Sequence, residues 1–376
     1  MTARERILTV LERDIPDMVP WAFYSTLIPQ GEVEREARNK GCGIILWKPA
    51  WRMEMQNIEI SVKEDWRNER IKTTVCTYHT PLGDISEKIE EDPGYHSKWI
   101  KEYLIKNIHD YKIMRFIIEN THYYEDYNSF REFQEDLGED GVIFASVGPS
   151  PLQRLLNELM GVERFSLDFY DHPKQVEELF LHLIEEKQDK VFHLAANSPA
   201  KIVYSDDSVT GNITEPRLFK KYCLPFYNKQ AELLHQKNKI YGVHMDGKLK
   251  CLRDLIKEAK NDLIDSFTLP EQGGDFPLEE ARNIWEDKVI AINFPASISL
   301  KGRDEAKKFM LKLFKRIFPA KNFMVQISED LPHMFWKDII LILGEIIPKL
   351  ETAEHYIIRS GRAAEREIEG NKGWPI

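Results

Sequence analysis

Eight short apolar runs, separated by longer stretches of helical periodicity, are the feature that most constrains how this chain of 376 residues can fold. Strands that alternate with amphipathic helices are typical of parallel sheets with crossover helices. Eight such units predict an α/β fold, a closed (β/α)8 TIM barrel. A doubly wound sheet is the rival, which the lack of a GxGxxG motif after any strand disfavours. The predicted strands are 19–23, 43–47, 141–147, 201–204, 240–244, 263–267, 289–293 and 323–327.

A different periodicity interrupts this series in the first half of the chain. Residues 62–90 alternate between apolar and polar positions on both sides of the turn sequence at 81–84, which predicts an antiparallel hairpin. Residues 101–137 have mostly helical periodicity. We therefore predict a single barrel domain over residues 1–376 that carries a hairpin and helical insertion at about 60–137.

Composition and charge limit the classes of partner. A net charge of -10, from 52 basic and 62 acidic residues, disfavours nucleic acid. No apolar run approaches the roughly 20 residues of a membrane span, and the N-terminus lacks a secretory pattern. The four cysteines form no CxxC pair and are expected to be free thiols in a reducing compartment. These features predict a cytoplasmic protein without nucleic-acid or membrane partners, and they leave a homo-oligomer open.

Polar side chains follow the predicted strands at their C-terminal ends, where parallel α/β enzymes have their active-site residues. His244 ends one strand and Asp246 lies two residues later, so both point to the same side and could share a metal ion or a substrate proton. Glu329 follows the strand 323–327, and in a closed barrel it would converge with His244. We interpret these three residues as catalytic, either as metal ligands or as acids.

Further candidates lie at other strand ends. Asp206 and Asp207 are adjacent, so only one of the two carboxylates can face a ligand while the other caps a helix. We add Asp206 to the catalytic group. The remaining candidates could contact substrate, although each could also be an ordinary turn, loop or barrel-core residue. They are Tyr204, Asp207, Glu271, Asn293 and the aromatic residues Trp21 and Phe23, with Tyr24, Trp47 and Trp51 as further aromatic side chains for an apolar pocket.

Several segments also occur in a characteristic order. They are 4–8, 16–20, 80–84, 148–151 with 160–161, 204–207, 216–219, 225–227 and 244–247. Together they resemble the uroporphyrinogen decarboxylase superfamily over roughly residues 3 to 350. This resemblance implies a (β/α)8 barrel, and the segment 244–247 falls where many members read His-x-Cys-Gly.

Two activities of this superfamily are relevant. The porphyrinogen decarboxylases hold a substrate with many carboxylates through N-terminal arginines, whereas residues 21–29 of this chain contain no arginine. The other branch contains corrinoid-dependent methyltransferases, in which thiol-using members bind zinc through the His and Cys of His-x-Cys and a later Cys. Asp246 and Glu329 stand where those two cysteines align.

The resemblance, with these substitutions, implies the substrate-side component of a corrinoid-dependent methyltransferase. It would move a methyl group from a small methylated compound, such as an O-methyl ether, to the cob(I)alamin of a separate corrinoid protein. Carboxylate ligands favour a more Lewis-acidic zinc ion, held by His244, Asp246 and Glu329, and such an ion or a general acid stabilises a departing alkoxide. Cobalamin is expected on the partner, because the chain has no Asp-x-His-x-x-Gly motif.

Three other functions stay open. One is a metal-free decarboxylase of a small carboxylic acid that uses the same strand-end residues. The second is a glycosidase-like hydrolase with Asp206 or Asp207 paired with Glu329. The third is a non-catalytic barrel that binds a small molecule or a corrinoid protein.

Overall fold

The computed structural model describes residues 1–67, 71–92, 97–317, 321–332 and 334–360. The strands are β1 (Trp21–Tyr24), β2 (Gly43–Lys48), β3 (Trp51–Met55), β4 (Glu59–Arg67), β5 (Ile71–Thr80), β6 (Gly83–Asp92), β7 (Ser97–Glu102), β8 (Thr121–Glu125), β9 (Gly141–Ser146), β10 (Ile202–Ser205), β11 (Ile240–His244), β12 (Leu263–Phe267), β13 (Val289–Asn293) and β14 (Phe323–Ile327). Eight of them form a closed parallel barrel in the order β1-β14-β13-β12-β11-β10-β9-β2. The predicted TIM-barrel fold is therefore confirmed.

Every predicted barrel strand is present, and β11 to β14 have the predicted bounds. The reason is that a barrel strand is covered on both faces, so its sequence is a nearly continuous apolar run. All five residues of β13 are buried, as are all five of β14.

Helices lie before, between and after the barrel strands. They are α1 (Ala3–Leu11), α2 (Glu32–Asn39), α3 (Asp110–Glu119), α4 (Tyr127–Leu137), α5 (Pro151–Arg154), α6 (Gly161–Asp171), α7 (His182–Asn197), α8 (Pro216–Leu218), α9 (Leu224–His235), α10 (Arg253–Glu258), α11 (Leu278–Ile284), α12 (Ala296–Ser299), α13 (Arg303–Ile317) and α14 (Trp336–Ser360). None of the described helices combines the length and the apolar character that a bilayer crossing requires.

Two small antiparallel sheets lie between β2 and β9, one of them with a strand, β3, that precedes the predicted insertion at about 60–137. The predicted hairpin is β5 and β6, which turn at residues 81–82, and it belongs to a four-stranded sheet in the order β4-β5-β6-β7. The second sheet pairs β3 with β8. The structure differs here from the mostly helical prediction for 101–137, because the short run Thr121–Glu125 between α3 and α4 is extended. Its threonine and two tyrosines favour a strand, but the strand forms only because β3 lies beside it.

By internal contacts the chain divides into two compact units. Unit 1 comprises Met1–Leu46, Leu137–Val142 and Asp262–Ile376, and unit 2 comprises Trp47–Asp136 and Ile143–Asn261. Strands of the one barrel belong to both units, so the polar side chains are described below unit by unit. The single-domain organisation over 1–376 stays a prediction.

Candidate functional site

A histidine held at both ring nitrogens lies at the strand ends of unit 2. β10 and β11 are parallel neighbours, with Tyr204 in register with Gly242. This pairing brings the Tyr204 hydroxyl to 2.8 Å from His244 Nδ1. His244 Nε2 lies 3.5 Å from Asp246 Oδ2, consistent with the period-two spacing of the two residues. The imidazole is therefore oriented by a phenol on one side and a carboxylate on the other.

Asp246 is the ionised member of this group. Burial is the largest single influence and acts to raise its pKa, but the hydrogen bond and the charge of His244 together hold the pKa of Asp246 below its ordinary value. The carboxylate therefore stabilises a protonated imidazole at His244 rather than acting as a proton donor itself.

Asp206 is a second acidic side chain of unit 2, and it has the opposite electrostatic character. It follows β10, its carboxylate is exposed, and Ser146 Oγ donates a hydrogen bond to Oδ2. Water reaches the carboxylate, but the surrounding protein restricts its hydration. This desolvation raises the pKa of Asp206 to about 6, against the lowering effects of the Ser146 hydrogen bond and the His244 charge. An exposed carboxyl whose pKa lies near neutral pH is thus present at the strand ends, and groups of this kind are frequent at functional sites.

The neighbouring carboxylate, Asp207, points into the protein and is only 1% exposed. Ser150 donates to it from its backbone N–H at 2.6 Å and from its hydroxyl at 2.8 Å, and the Tyr227 hydroxyl donates a third hydrogen bond. Burial raises the pKa of Asp207 to about 6, although these hydrogen bonds act to lower it. Asp207 was predicted as a substrate contact or, as one of two adjacent carboxylates, as a helix cap, and its carboxylate links the start of α5 to α9.

Aromatic rings surround Tyr204 in unit 2. The ring centroid of Phe144 lies 5.2 Å from that of Tyr204, and the centroid of Trp47 lies at 6.1 Å. Trp51 Nε1 donates a 3.0 Å hydrogen bond to the carbonyl of Ser146, the residue that binds Asp206. Trp47 and Trp51 were candidates from the sequence, whereas Phe144 was missed because nothing distinguishes it from other apolar residues of its strand.

Unit 1 carries a separate buried polar network. The Asp265 side chain, inside β12, accepts hydrogen bonds from the Tyr24 hydroxyl at 2.5 Å and from Gln326 Nε2 at 2.8 Å. The following residue, Ser266, has a left-handed φ of 60°, and the pairing of β12 with β13 is irregular at this point. Strained backbone of this kind costs about 1–3 kcal/mol and is frequent at functional sites. Sequence reasoning missed Asp265 and Gln326, although a lone polar residue inside an apolar run is a signal.

Asn293 extends this network at the end of β13. Its Oδ1 accepts a 3.1 Å hydrogen bond from the backbone N–H of Ser328, and it is in register with Gln326 on β14. Asn293 Nδ2 and Gln326 Oε1 are buried and have no hydrogen-bond partner in the part of the chain that the structure describes. A donor and an acceptor on adjacent strands could therefore both bind one hydroxyl group or water molecule.

The other candidates of unit 1 have protein partners or lie in the core. Gln272 Nε2 donates to Glu329 Oε2, and Glu271 lies 3.7 Å from Arg316 Nη1. Trp21 and Phe23 are buried in β1, as expected if these aromatic residues belong to the barrel core.

Comparisons with known proteins add no name to these sites. No family model matches the chain, and no curated protein matches it. The superfamily resemblance therefore stays a prediction that depends on the order of its segments and on the barrel.

The three predicted zinc ligands are not arranged as a metal site in the described residues. His244 Nε2 and Asp246 Oδ2 provide two donors in unit 2, and Glu329 belongs to unit 1. Over the ranges that the structure describes, no group of three or more His, Cys, Asp or Glu side chains is arranged to hold a metal ion. Catalytic zinc sites commonly use three protein ligands, so the described arrangement does not fit zinc and we derive no step through it.

The zinc prediction can be tested directly by elemental analysis. The predicted ligand set requires about one zinc per purified chain, lost in His244→Ala and much reduced in Glu329→Gln. A matched His193→Ala variant, which changes a histidine of α7, should keep the metal content of the wild type. Equal zinc in all the variants, or none in the wild type, would contradict the set.

Proposed function

We propose that this chain is an enzyme, the substrate-side component of a corrinoid-dependent methyl transfer, and that Asp206 and His244 carry its acid–base chemistry. The observation that supports it most is the exposed Asp206 carboxyl, whose pKa desolvation raises to about 6 although the nearby His244 acts to lower it. Its position at the strand ends of a closed parallel barrel agrees with where enzymes of this fold work.

The proposed reaction needs a proton at one atom. When the C–O bond of a methyl ether breaks, the electron pair stays on the departing oxygen, which is a poor leaving group unless it is protonated. A corrinoid protein supplies the Co(I) nucleophile that takes the methyl group. Asp206 donates its proton to the departing oxygen, so that an alcohol or phenol is released and an Asp206 carboxylate remains.

His244 is the basic neighbour of Asp206 that Tyr204 and Asp246 hold in place, and solvent water returns a proton to Asp206 for the next turnover. Two contacts support this role, the hydrogen bond with Tyr204 and the proximity of the ionised Asp246. A carboxylate beside an imidazole favours the protonated ring, and a positive charge there stabilises the negative charge that develops on the departing oxygen.

The rings around Tyr204 favour an aromatic methyl donor. Phe144 is fully buried and Tyr204 is 2% exposed, so the half-buried Trp47 is the ring of this group that a substrate can contact. An aromatic side chain binds aryl groups by apolar burial and offset ring contacts. An aryl methyl ether is therefore the first substrate class to assay.

We expect the purified chain to convert free cob(I)alamin to methylcobalamin with anisole as the probe, followed by absorbance. His244→Ala should lower the rate by about 10²–10⁴-fold, which is the usual contribution of a positioned acid or base. His193→Ala should keep the wild-type rate, and thermal melts of both variants should show that the barrel is folded. Wild-type turnover by His244→Ala would remove this histidine from the mechanism.

A metal-free decarboxylase of a small carboxylic acid is the second candidate. Loss of CO₂ leaves a carbanion that must take up a proton, and the accessible acid Asp206 meets that need equally well. CO₂ release from small aromatic acids in the absence of cobalamin, together with no methyl transfer, would favour this candidate over the first.

A further inference from the structure

The edge strand β4 exposes an apolar row. Its nine residues are all exposed, and the side chains of Ile60, Val62, Glu64 and Trp66 point to one face because they are separated by even numbers of residues. Glu64 is the one charged member of this row, and it lies 2.6 Å from Lys72 of β5. Ile60, Val62 and Trp66 are 46%, 59% and 51% exposed. Among the described strands, β4 pairs only with β5, so no other described strand covers its second edge.

At β5 and β6, the same face of the sheet is covered by α3. Ile60 is in register with Tyr78, and Tyr78 with Ile85, which is buried where α3 packs on β5 and β6. All the residues of β4, the next strand of the sheet, are exposed. An apolar face that begins under a helix and continues into solvent beside an open strand edge is suited to a partner that extends the sheet.

We propose that the partner is a second copy of this chain, paired antiparallel through β4 about a twofold axis at Lys63. Side chains alternate between the two faces of a strand, so the apolar faces of the two copies join only if even-numbered residues pair with even-numbered residues. With Lys63 opposite itself, Ile60 lies opposite Trp66 of the second copy, twice by symmetry. Val62 lies opposite Glu64 of the second copy, and the carboxylate of each Glu64 is paired with Lys72 of its own chain. Glu59 then lies opposite Arg67 of the second copy, also twice, so the nine-residue strand is self-complementary in charge at both ends.

Neighbouring registers are less favourable. Moving the axis to Val62 sets Glu59 opposite Asp65, and moving it to Glu64 sets that glutamate opposite itself and leaves Glu59 outside the pairing. The Lys63 register does bring two like charges together. Each Lys63, however, has Asp65 of the second copy as its diagonal neighbour on the same face, which offsets that repulsion.

A cysteine at the twofold axis tests the register. Directly opposed side chains of an antiparallel pair have Cβ atoms about 4.5–5.5 Å apart, close to the reach of a disulfide. In a Cys251→Ser background, which removes the exposed native thiol, Lys63→Cys should form a covalent dimer of the full chain under mild oxidation. The matched control Glu64→Cys should stay monomeric on the same non-reducing gel. A dimer with Glu64→Cys, or none with Lys63→Cys, overturns the proposed pairing.

Charge reversal tests the pairing without cysteines. Sedimentation equilibrium should show a wild-type dimer, and Glu59→Arg or Arg67→Glu alone should raise its dissociation constant about tenfold, because two symmetric attractions become repulsions. The double swap should restore the wild-type constant. A monomeric wild type, or a dimer that the single swaps leave unchanged, overturns the proposal. Neither result bears on the proposed methyl transfer, because β4 contains none of its residues.

Discussion

Replacing Asp206 by asparagine should lower kcat/KM for methyl transfer by about 10²–10⁴-fold, the range expected for a lost general acid. The amide keeps the shape of the side chain, and its oxygen can still accept the hydrogen bond from Ser146. It cannot deliver a proton to the departing oxygen. The measurement is the initial rate of cob(I)alamin loss at saturating and at limiting anisole, with Asp254→Asn as a control at a side chain that is 77% exposed.

The pH profile separates an acid from a base at this position. Asp206 has a raised pKa of about 6, so its reactive, protonated form dominates below that pH and is lost above it. Wild-type kcat/KM should therefore fall about tenfold per pH unit above about 6, and the residual rate of Asp206→Asn should lack this descent. A wild-type rate that rises through pH 6 would show that the carboxylate, not the acid, is the active form, and would favour a base mechanism.

The barrel could be predicted from the sequence because each of its strands is recognisable from its own residues. A strand covered on both faces is an apolar run whatever its neighbours are, which is why β11 to β14 were predicted with the correct bounds. β3 and β8 lack this property. Both are partly exposed, and their strand structure depends on each other rather than on a strong local pattern.

The site was less predictable because its chemistry depends on contacts between distant segments. Period-two spacing predicted that His244 and Asp246 face the same way, and that Asp206 and Asp207 differ. Which of the adjacent carboxylates is buried depends on Ser150 and Tyr227, and no local pattern links these residues to Asp207.

The polar network of unit 1 was missed because its residues lie inside the strands and not at their ends. Asp265 and Gln326 interrupt apolar runs, and a search for polar residues at strand ends passes over polar residues inside them. The structure identifies them through the hydrogen bonds of Asp265, which join β12 to β1 and β14. Buried polar groups are almost always paired, so such an interruption signals a network even when the partner is unknown.

Replacing Asp207 by alanine should lower the free energy of unfolding by about 3–5 kcal/mol, because each buried donor that loses its acceptor costs about 1–3 kcal/mol. The change leaves two donors of Ser150 and the Tyr227 hydroxyl without their acceptor inside the protein. Urea unfolding followed by tryptophan fluorescence measures the effect. The adjacent Asp206→Asn change, at an exposed carboxylate, should cost much less and provides the matched control.

The same residue should leave a signature in the pH dependence of stability. Burial raises the pKa of Asp207 to about 6 in the folded chain, above the ordinary value of 3.8, so folding favours its protonated form. That contribution is complete below about pH 4 and is lost as the pH rises through about 6. Asp207→Asn keeps a neutral side chain of the same shape, so its stability should decline less than that of the wild type between pH 4 and 6. Parallel declines in the two proteins would mean that the Asp207 hydrogen bonds from Ser150 and Tyr227 outweigh its burial, and that this carboxylate is ionised throughout that range.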